Sequence, residues 1–268
     1  MLVVKIGGDI IQSRMEESLL SDIRRIHESG GLILVHGGGD EVTRIAEMLG
    51  KEQRFIQSPS GIRSRYTDLE TVQIYTMVMA GRVNKAVVRW LQSGGVPAVG
   101  LSGIDGALIR ARRKKRLLII DERGRKRIIE GGYTGKITEV ERGLLDLLVE
   151  NGYLPVVAPI AIGEEYEPLN VDSDRAAAHI AGAVGADRVI FLTDVQGVTL
   201  NGKLLERMTL KEAEEILPRM GAGMDKKVLA SIEALKAGVK EAVICSGFLD
   251  EPITRAIEHK GGTVITLE

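Results

Sequence analysis

Lys5 lies inside the apolar run Leu2–Ile6, which ends at Gly7-Gly8, and a second apolar run, Leu32–His36, ends at Gly37-Gly38-Gly39. Glycine lets backbone N–H groups come close to an anion. A lysine in a buried strand costs desolvation unless an anion meets it; the alternative is a strand-end lysine that snorkels to water. Neither loop has Walker A spacing, and that motif occurs nowhere in the chain. His36 reads as a strand-end residue and is assigned no role. A third polar stretch, residues 169–198, reads as loop, helix, strand and turn. Ser173 or Asp174 can cap a helix over 175–184. The strand Arg188–Thr193 then ends at Thr193-Asp194-Val195-Gln196-Gly197. Carboxylates at a helix start and a polar turn at the C-terminal end of a strand are where open α/β sheets bind ligands. Ordinary capping and turn chemistry would leave the same residues.

The elements that must position these groups follow from hydrophobic period and punctuation. Helices are predicted over 16–28, 41–49 with Asp40 opening it, 68–79, 82–92, 141–151, 210–220, 224–237 and 251–259. A break is expected near Gly81, and 221–223 reads as a flexible link. Buried strands are predicted over 97–101, 154–159, 241–245 and 262–265. Residues 54–66 read as an ordered loop with some strand character. Residues 107–112, 117–121 and 126–129 read as antiparallel strands, with 122–125 turning the last pair, and 133–140 adds a short strand. Strand–glycine–helix units imply a parallel sheet with right-handed crossovers. The expected fold is α/β, a mostly parallel, helix-flanked sheet with an antiparallel hairpin inserted in a first lobe, 1–152, and a second lobe over 153–268.

The totals narrow the function classes. The 268 residues are 44% hydrophobic and carry a formal charge of −1, so no global charge points to nucleic acid. No run approaches the roughly 18 apolar residues of a membrane helix, and no basic-then-apolar signal pattern opens the chain. No membrane association and a cytoplasmic location are the expectations. Cys245 is the only cysteine, so it forms no internal disulfide and reads as a small buried hydrophobe. No His/Cys cluster suggests a dedicated metal site. Charge is nonetheless uneven: residues 110–127 hold ten basic against two acidic residues, a formal +8. That segment has no stacking aromatic and no nucleic-acid motif, so nucleic acid is not the expected partner.

Six motifs occur in a set order: Val4-Lys5-Ile6-Gly7-Gly8, His36-Gly37-Gly38-Gly39, Gly81-Arg82-Val83-Asn84-Lys85, Asn170-Val171-Asp172-Ser173-Asp174, Thr193-Asp194-Val195-Gln196-Gly197 and Gly223-Met224-Asp225-Lys226-Lys227. Together they resemble the amino acid kinases, in particular the acetylglutamate kinase branch, over essentially the whole chain. The resemblance implies a three-layer αβα sandwich around a mainly parallel sheet, the amino acid kinase or carbamate kinase-like fold. It implies ATP-dependent phosphorylation of a side-chain carboxylate to an acyl phosphate, with Mg²⁺ arriving on the ATP phosphates. Lys5 would bridge the transferring phosphoryl group. Lys227 would be the second lysine, in preference to Lys226, because the family pattern is Gly-Met-x-x-Lys. Asp174 would hold both lysines, and the N–H groups of Gly8 and Gly38 would face phosphoryl oxygens. Gly7, Thr193, Asp194, Val195 and Gly197 would serve the nucleotide, with Met208-Thr209 nearby. Gly38, Gly39, Arg65 and Asn170 would hold the amino acid, the planar Arg65 guanidinium gripping both oxygens of its α-carboxylate.

Residues 58–68, SPSGIRSRYTD, depart from the Gly-Leu-Arg-Val-Thr-like motif of acetylglutamate kinases. Aligning on Tyr66-Thr67-Asp68 makes Arg65 the counterpart arginine and leaves two extra residues after Gly61. This form is similar to kinases of lysine and arginine synthesis whose substrate is aminoadipate or glutamate attached through its amino group to a small acidic carrier protein, the LysW type. The resemblance to the acetylglutamate kinase fold implies that the basic hairpin lies beside the substrate mouth as a lid, so Lys114, Lys115 and Arg116 would dock the carrier. Arg63 could reach the carrier or point to solvent. The alternative is a kinase of free N-acetylglutamate. A non-catalytic nucleotide-binding protein is expected to have lost Lys5, Asp174 or Lys227, and all three are present. The first strand begins at Leu2 with no helix before it, which favours a homodimer over a hexameric ring and argues against feedback by arginine.

Overall fold

The apolar runs Leu2–Ile6, Leu32–His36, Leu154–Ile162 and Arg188–Thr193 lie parallel in the middle of an eleven-stranded sheet. The computed structural model describes residues 1–13 and 16–268. The Leu2–Ile6 strand is central, pairing with Arg188–Thr193 on one side and Leu32–His36 on the other. All five residues of Leu32–His36 are buried. A parallel strand covered on both faces reads as a continuous apolar run for that reason.

Successive side chains on a strand point to opposite faces, and the central strand divides its residues between two helical layers accordingly. Val3 packs into the core formed with the Ser173–Ala183 and Met224–Lys236 helices. Val4 and Ile6 pack into the other, with the Glu17–Ser29, Asn84–Ser93 and Pro252–Ile257 helices. The fold is thus the expected α/β sandwich with a mainly parallel sheet. Period two also puts Lys5 on the face of Val3, under the Ser173–Ala183 helix.

Several local expectations are corrected. No break occurs near Gly81: the helices Leu69–Thr76 and Asn84–Ser93 are joined by a π-helical stretch, Met77–Val83, whose wider turn absorbs the glycine. The strand Ile109–Arg113 does not pair with the hairpin that follows it. It pairs with Gly135–Val140 and, at its start, with the Leu154–Ile162 strand of the main sheet. The hairpin Arg116–Ile120/Lys126–Glu130 joins a separate four-stranded sheet through Phe55–Gln57, which pairs with Arg63–Arg65. The chain changes sheets at Lys114-Lys115, where Gly131 N donates to Lys115 O at 3.0 Å. Only glycine fits there, since a Cβ on Gly131 would lie 1.4 Å from Lys114 O. The strand character expected within residues 54–66 is thus two short strands, Phe55–Gln57 and Arg63–Arg65. The short strands Pro168–Asn170, Thr199–Leu200, Lys203–Leu204 and Arg207–Thr209 carry too few residues to show a period. The helix expected to reach 220 stops at Ile216 and gives way to a 3₁₀ turn, Leu217–Arg219, containing Pro218. Among the described residues no helix is long and apolar enough to cross a membrane.

Candidate functional site

The helix Ser173–Ala183 is capped by Asp172, not by Ser173 or Asp174. Asp172 has extended φ/ψ, and its Oδ1 accepts from Asp174 N at 3.0 Å and Arg175 N at 3.1 Å. The cap sits before both expected candidates, so the Asp174 side chain is free to turn back onto the sheet. There its Oδ1 meets Lys5 Nζ at 2.8 Å and its Oδ2 meets Lys227 Nζ at 3.5 Å. The Lys5 contact is an ion pair without hydrogen-bond alignment. Lys5 and Asp174 are each 4% exposed. Burial pushes the Asp174 carboxyl up, but Lys5 and Lys227 outweigh it and hold the group below the usual carboxylate range. Lys226, the neighbour of Lys227, turns instead to Asp172 Oδ2 at 3.5 Å. Asp225, in the first turn of the Met224–Lys236 helix, accepts from Gly223 N and Lys226 N through Oδ1.

The two glycine loops touch beside this triad. A Cβ on Gly37 would lie 2.8 Å from Gly8 N, and one on Gly8 would lie 3.0 Å from Gly38 N, so the loops meet backbone to backbone. Gly7 N and Gly37 N are spent on Leu192 O and Ile6 O. Among the described residues, Gly8 N and Gly38 N donate to no backbone acceptor outside a helix or strand. Their place is the C-terminal edge of the central strands, where the chain has moved outward on both sides of Leu2–Ile6.

A cavity of about 710 Å³ opens beside the second glycine loop. Gly38, Gly39, Arg65 and Asn170, the four residues the sequence assigned to the amino acid, line it, and so does Arg63. Arg65 donates to Gly39 O at 2.7 Å, to Thr43 Oγ1 at 2.9 Å and to Gln53 Oε1. It has no carboxylate partner among the described residues. Arg63 and Arg65, two apart on one strand, share a face and both lie over the Phe55 ring, at 4.4 and 5.0 Å. Asn170 Nδ2 donates to Thr67 Oγ1 at 3.0 Å.

The nucleotide-side candidates lie at the end of the next strand. Thr193 is buried and its Oγ1 donates to Asp194 Oδ1 at 3.0 Å; Asp194 and Val195 are exposed, while Gly197 packs against Thr263. Thr193 O accepts from Gly247 N at 2.8 Å, which brings Ser246-Gly247 to the same rim, and the sequence carried no signal for that pair. Met208 is buried in the core at the edge of the sheet, with two strands between it and the strand of Thr193, and Thr209 caps the following helix.

The three residues grouped for carrier docking are separated by the structure. Lys115 is 79% exposed, with Glu165 at 3.7 Å, and Arg116 is exposed. Lys114 instead lines the 710 Å³ cavity, where burial and then Arg175 lower its pKa. His36, set aside as a strand-end residue, is wholly buried behind the second glycine loop and contacts Asn84, which the sequence placed in a motif but gave no role. Thr134 and Arg175 also line the cavity and were missed. Thr134 stood in a short strand with no motif to mark it. Arg175 read as one more charge on a helix.

The Amino acid kinase family model matches residues 1–246. The chain is 58% identical over 265 residues, 99% of each chain, to a protein of Cenarchaeum symbiosum provisionally named a LysW-aminoadipate/LysW-glutamate kinase. It is 47% identical over 266 residues, 99% of each chain, to the LysW-aminoadipate/LysW-glutamate kinase of Saccharolobus solfataricus. Among solved structures, N-acetylglutamate synthase of Neisseria gonorrhoeae shares the fold with a TM-score of 0.81 at 23% identity, over 100% of this chain and 59% of that one. With the family model covering nearly the whole chain and the motif residues gathered at one edge of the sheet, this protein belongs to the amino acid kinase family.

Proposed function

We propose that this chain is an ATP-dependent kinase that phosphorylates the side-chain carboxylate of aminoadipate, glutamate or both, linked through the amino group to a small acidic carrier protein. The product is an acyl phosphate in lysine or arginine synthesis. The relatives named for LysW-linked aminoadipate and glutamate support the substrate class. The observation that carries the reading is the buried Asp174 placed between Lys5 and Lys227, beside two glycine loops in which, among the described residues, Gly8 N and Gly38 N donate to no backbone acceptor outside a helix or strand. Phosphoryl transfer asks a protein for positioning and charge neutralisation rather than covalent catalysis, and this arrangement supplies both.

In the proposed reaction a carboxylate oxygen attacks the γ-phosphorus of ATP, the new O–P bond forms, and the bond to the ADP oxygen breaks. Lys5 neutralises charge on the moving phosphoryl group, Gly8 and Gly38 donate to its oxygens, and Lys227 meets the nucleotide side. Asp174 keeps the lysines in place. Both Asp174 oxygens face lysines, so Mg²⁺ would be carried by the nucleotide phosphates. Gly7, Thr193, Asp194, Val195 and Gly197 would border the nucleotide. Gly39, Arg65 and Asn170 would hold the amino acid, with Arg65 on the α-carboxylate. In the proposed division, residues 1–152 serve the amino acid and homodimer contacts and residues 153–268 serve ATP, with Asn170 reaching across. Lys115 and Arg116, on the exposed hairpin, would meet the acidic carrier.

The test is a kinase assay with hydroxylamine trapping of the acyl phosphate, run on glutamyl-carrier, aminoadipyl-carrier and free N-acetyl-L-glutamate. Trapped product from a carrier-linked substrate is expected. Turnover of free N-acetyl-L-glutamate alone would replace this reading with the free-substrate kinase.

A further inference from the structure

The cavity beside the second glycine loop is larger than one amino acid requires. Cavities of a few hundred to about 1,000 Å³ hold drug-sized ligands, and this one measures about 710 Å³. Gly38, Gly39 and Arg65 take up one part of its wall. Lys114, Thr134 and Arg175 line another part.

Lys114 is a half-buried cation with no carboxylate in ion-pair range among the described residues. The other cations nearby are already engaged. Arg175 makes a two-pronged contact with Glu233, at 2.8 and 2.6 Å, and Lys226 faces Asp172. Thr134 is tied to Lys114 through its backbone, since Lys114 N donates to Thr134 O at 2.9 Å, and it bridges to Asn170 on its other side. Its Oγ1 is buried and makes no hydrogen bond. A buried polar group without a partner costs free energy, and an unpaired buried charge costs more. Two such costs on adjacent residues, facing one cavity, are both relieved by a single carboxylate: one oxygen on the ammonium, the other on the hydroxyl.

We propose that Lys114 and Thr134 form a second anion subsite in this cavity, which binds a carboxylate on the acyl group attached to the substrate nitrogen. The inference rests on the reading that the substrate is N-acylated. An acidic carrier is rich in carboxylates, whereas a plain acetyl group brings none. The subsite would therefore separate carrier-like from acetylated substrates inside the cavity, independently of charge on the outer hairpin.

The test uses two free ligands that differ in that one group. The dissociation constants of N-succinyl-L-glutamate and N-acetyl-L-glutamate are measured by calorimetry on the full chain. At least a tenfold preference for the succinyl ligand is expected. Lys114→Met and Thr134→Val should each remove most of it while leaving N-acetyl-L-glutamate within about twofold, and Lys114→Arg should keep part of it. Thr134→Val should also leave the melting temperature of the free protein unchanged or raised, because it removes an unsatisfied hydroxyl. A merely structural threonine would lower both. No preference in the wild type, including no binding of either ligand, or a preference that survives Lys114→Met, would overturn the subsite. Carrier-linked turnover that fails in the wild type would overturn the proposed function instead, and leaves the two-ligand comparison standing.

Discussion

His36 and Asn84 meet at 3.2 Å behind the second glycine loop, both at 0% exposure. The Asn84 amide also donates to Val156 O at 2.9 Å and Leu101 O at 3.3 Å. Its NH₂ therefore faces the imidazole, Nε2 must accept, and Nδ1–H donates to Gly37 O at 2.9 Å. The network thus assigns a neutral tautomer and ties the glycine loop to two neighbouring strands. Burial first, with Lys5 and Lys85 adding, lowers the His36 pKa from its ordinary 6.5 to about 4.

That shift has a sign. A histidine kept neutral in the fold takes up a proton on unfolding below about pH 6.5. Its stabilising contribution is therefore present above 6.5 and is lost as pH falls toward 4. The expected loss is about 3 kcal/mol across that window. Urea unfolding at pH 7 and pH 4.5 checks it: the fall in stability should be shallower in His36→Gln, and equal slopes would refute the assignment.

Lys5→Ala should lower kcat about 10²–10³-fold, the cost of removing one transition-state contact, while changing the KM for ATP little. Initial-rate kinetics with varied ATP would reveal a kcat near wild type, which would remove Lys5 from the phosphoryl site. Asp174→Asn leaves Lys5 and Lys227 with no anion between them, and slow turnover is the expected result. A cooperative thermal melt recorded beside the assay separates that from unfolding.

Arg65→Lys should raise the KM for the amino acid substrate with a smaller effect on kcat. The guanidinium is held by Gly39 O, Thr43 and Gln53, and a point charge reproduces neither that tether nor a two-pronged grip on a carboxylate. Kinetics indistinguishable from wild type would remove Arg65 from the carboxylate clamp.

For the outer hairpin, kcat/KM on a carrier-linked substrate should fall steeply between low and physiological salt, because complementary surface charge acts mainly on association rate and is screened. Any turnover of free N-acetyl-L-glutamate should change little. The double reversal Lys115→Glu with Arg116→Glu should depress the first activity and spare the second. Equal salt dependence for both would remove the hairpin from carrier docking.

The central strands and the triad were legible in the chain. Leu2–Ile6, Leu32–His36 and Arg188–Thr193 are buried on both faces, and such strands announce themselves as unbroken apolar runs. Lys5 stood out because it interrupts one of them. The glycine loops stood out because backbones that touch leave no room for a side chain. Pairing partners across long separations were another matter. Nothing local says that Phe55–Gln57 pairs with Arg116–Ile120 across some sixty residues, or that Asp172 rather than Asp174 caps its helix. Both depend on which edge or oxygen is free once the sheet is assembled. The basic segment shows the same division. Its charge is a sum over residues and is fixed by composition. Whether a given lysine meets solvent or a cavity depends on where the chain crosses between two sheets. Lys115 lies outside and Lys114 inside because that crossing falls between them, under a glycine that nothing larger could replace.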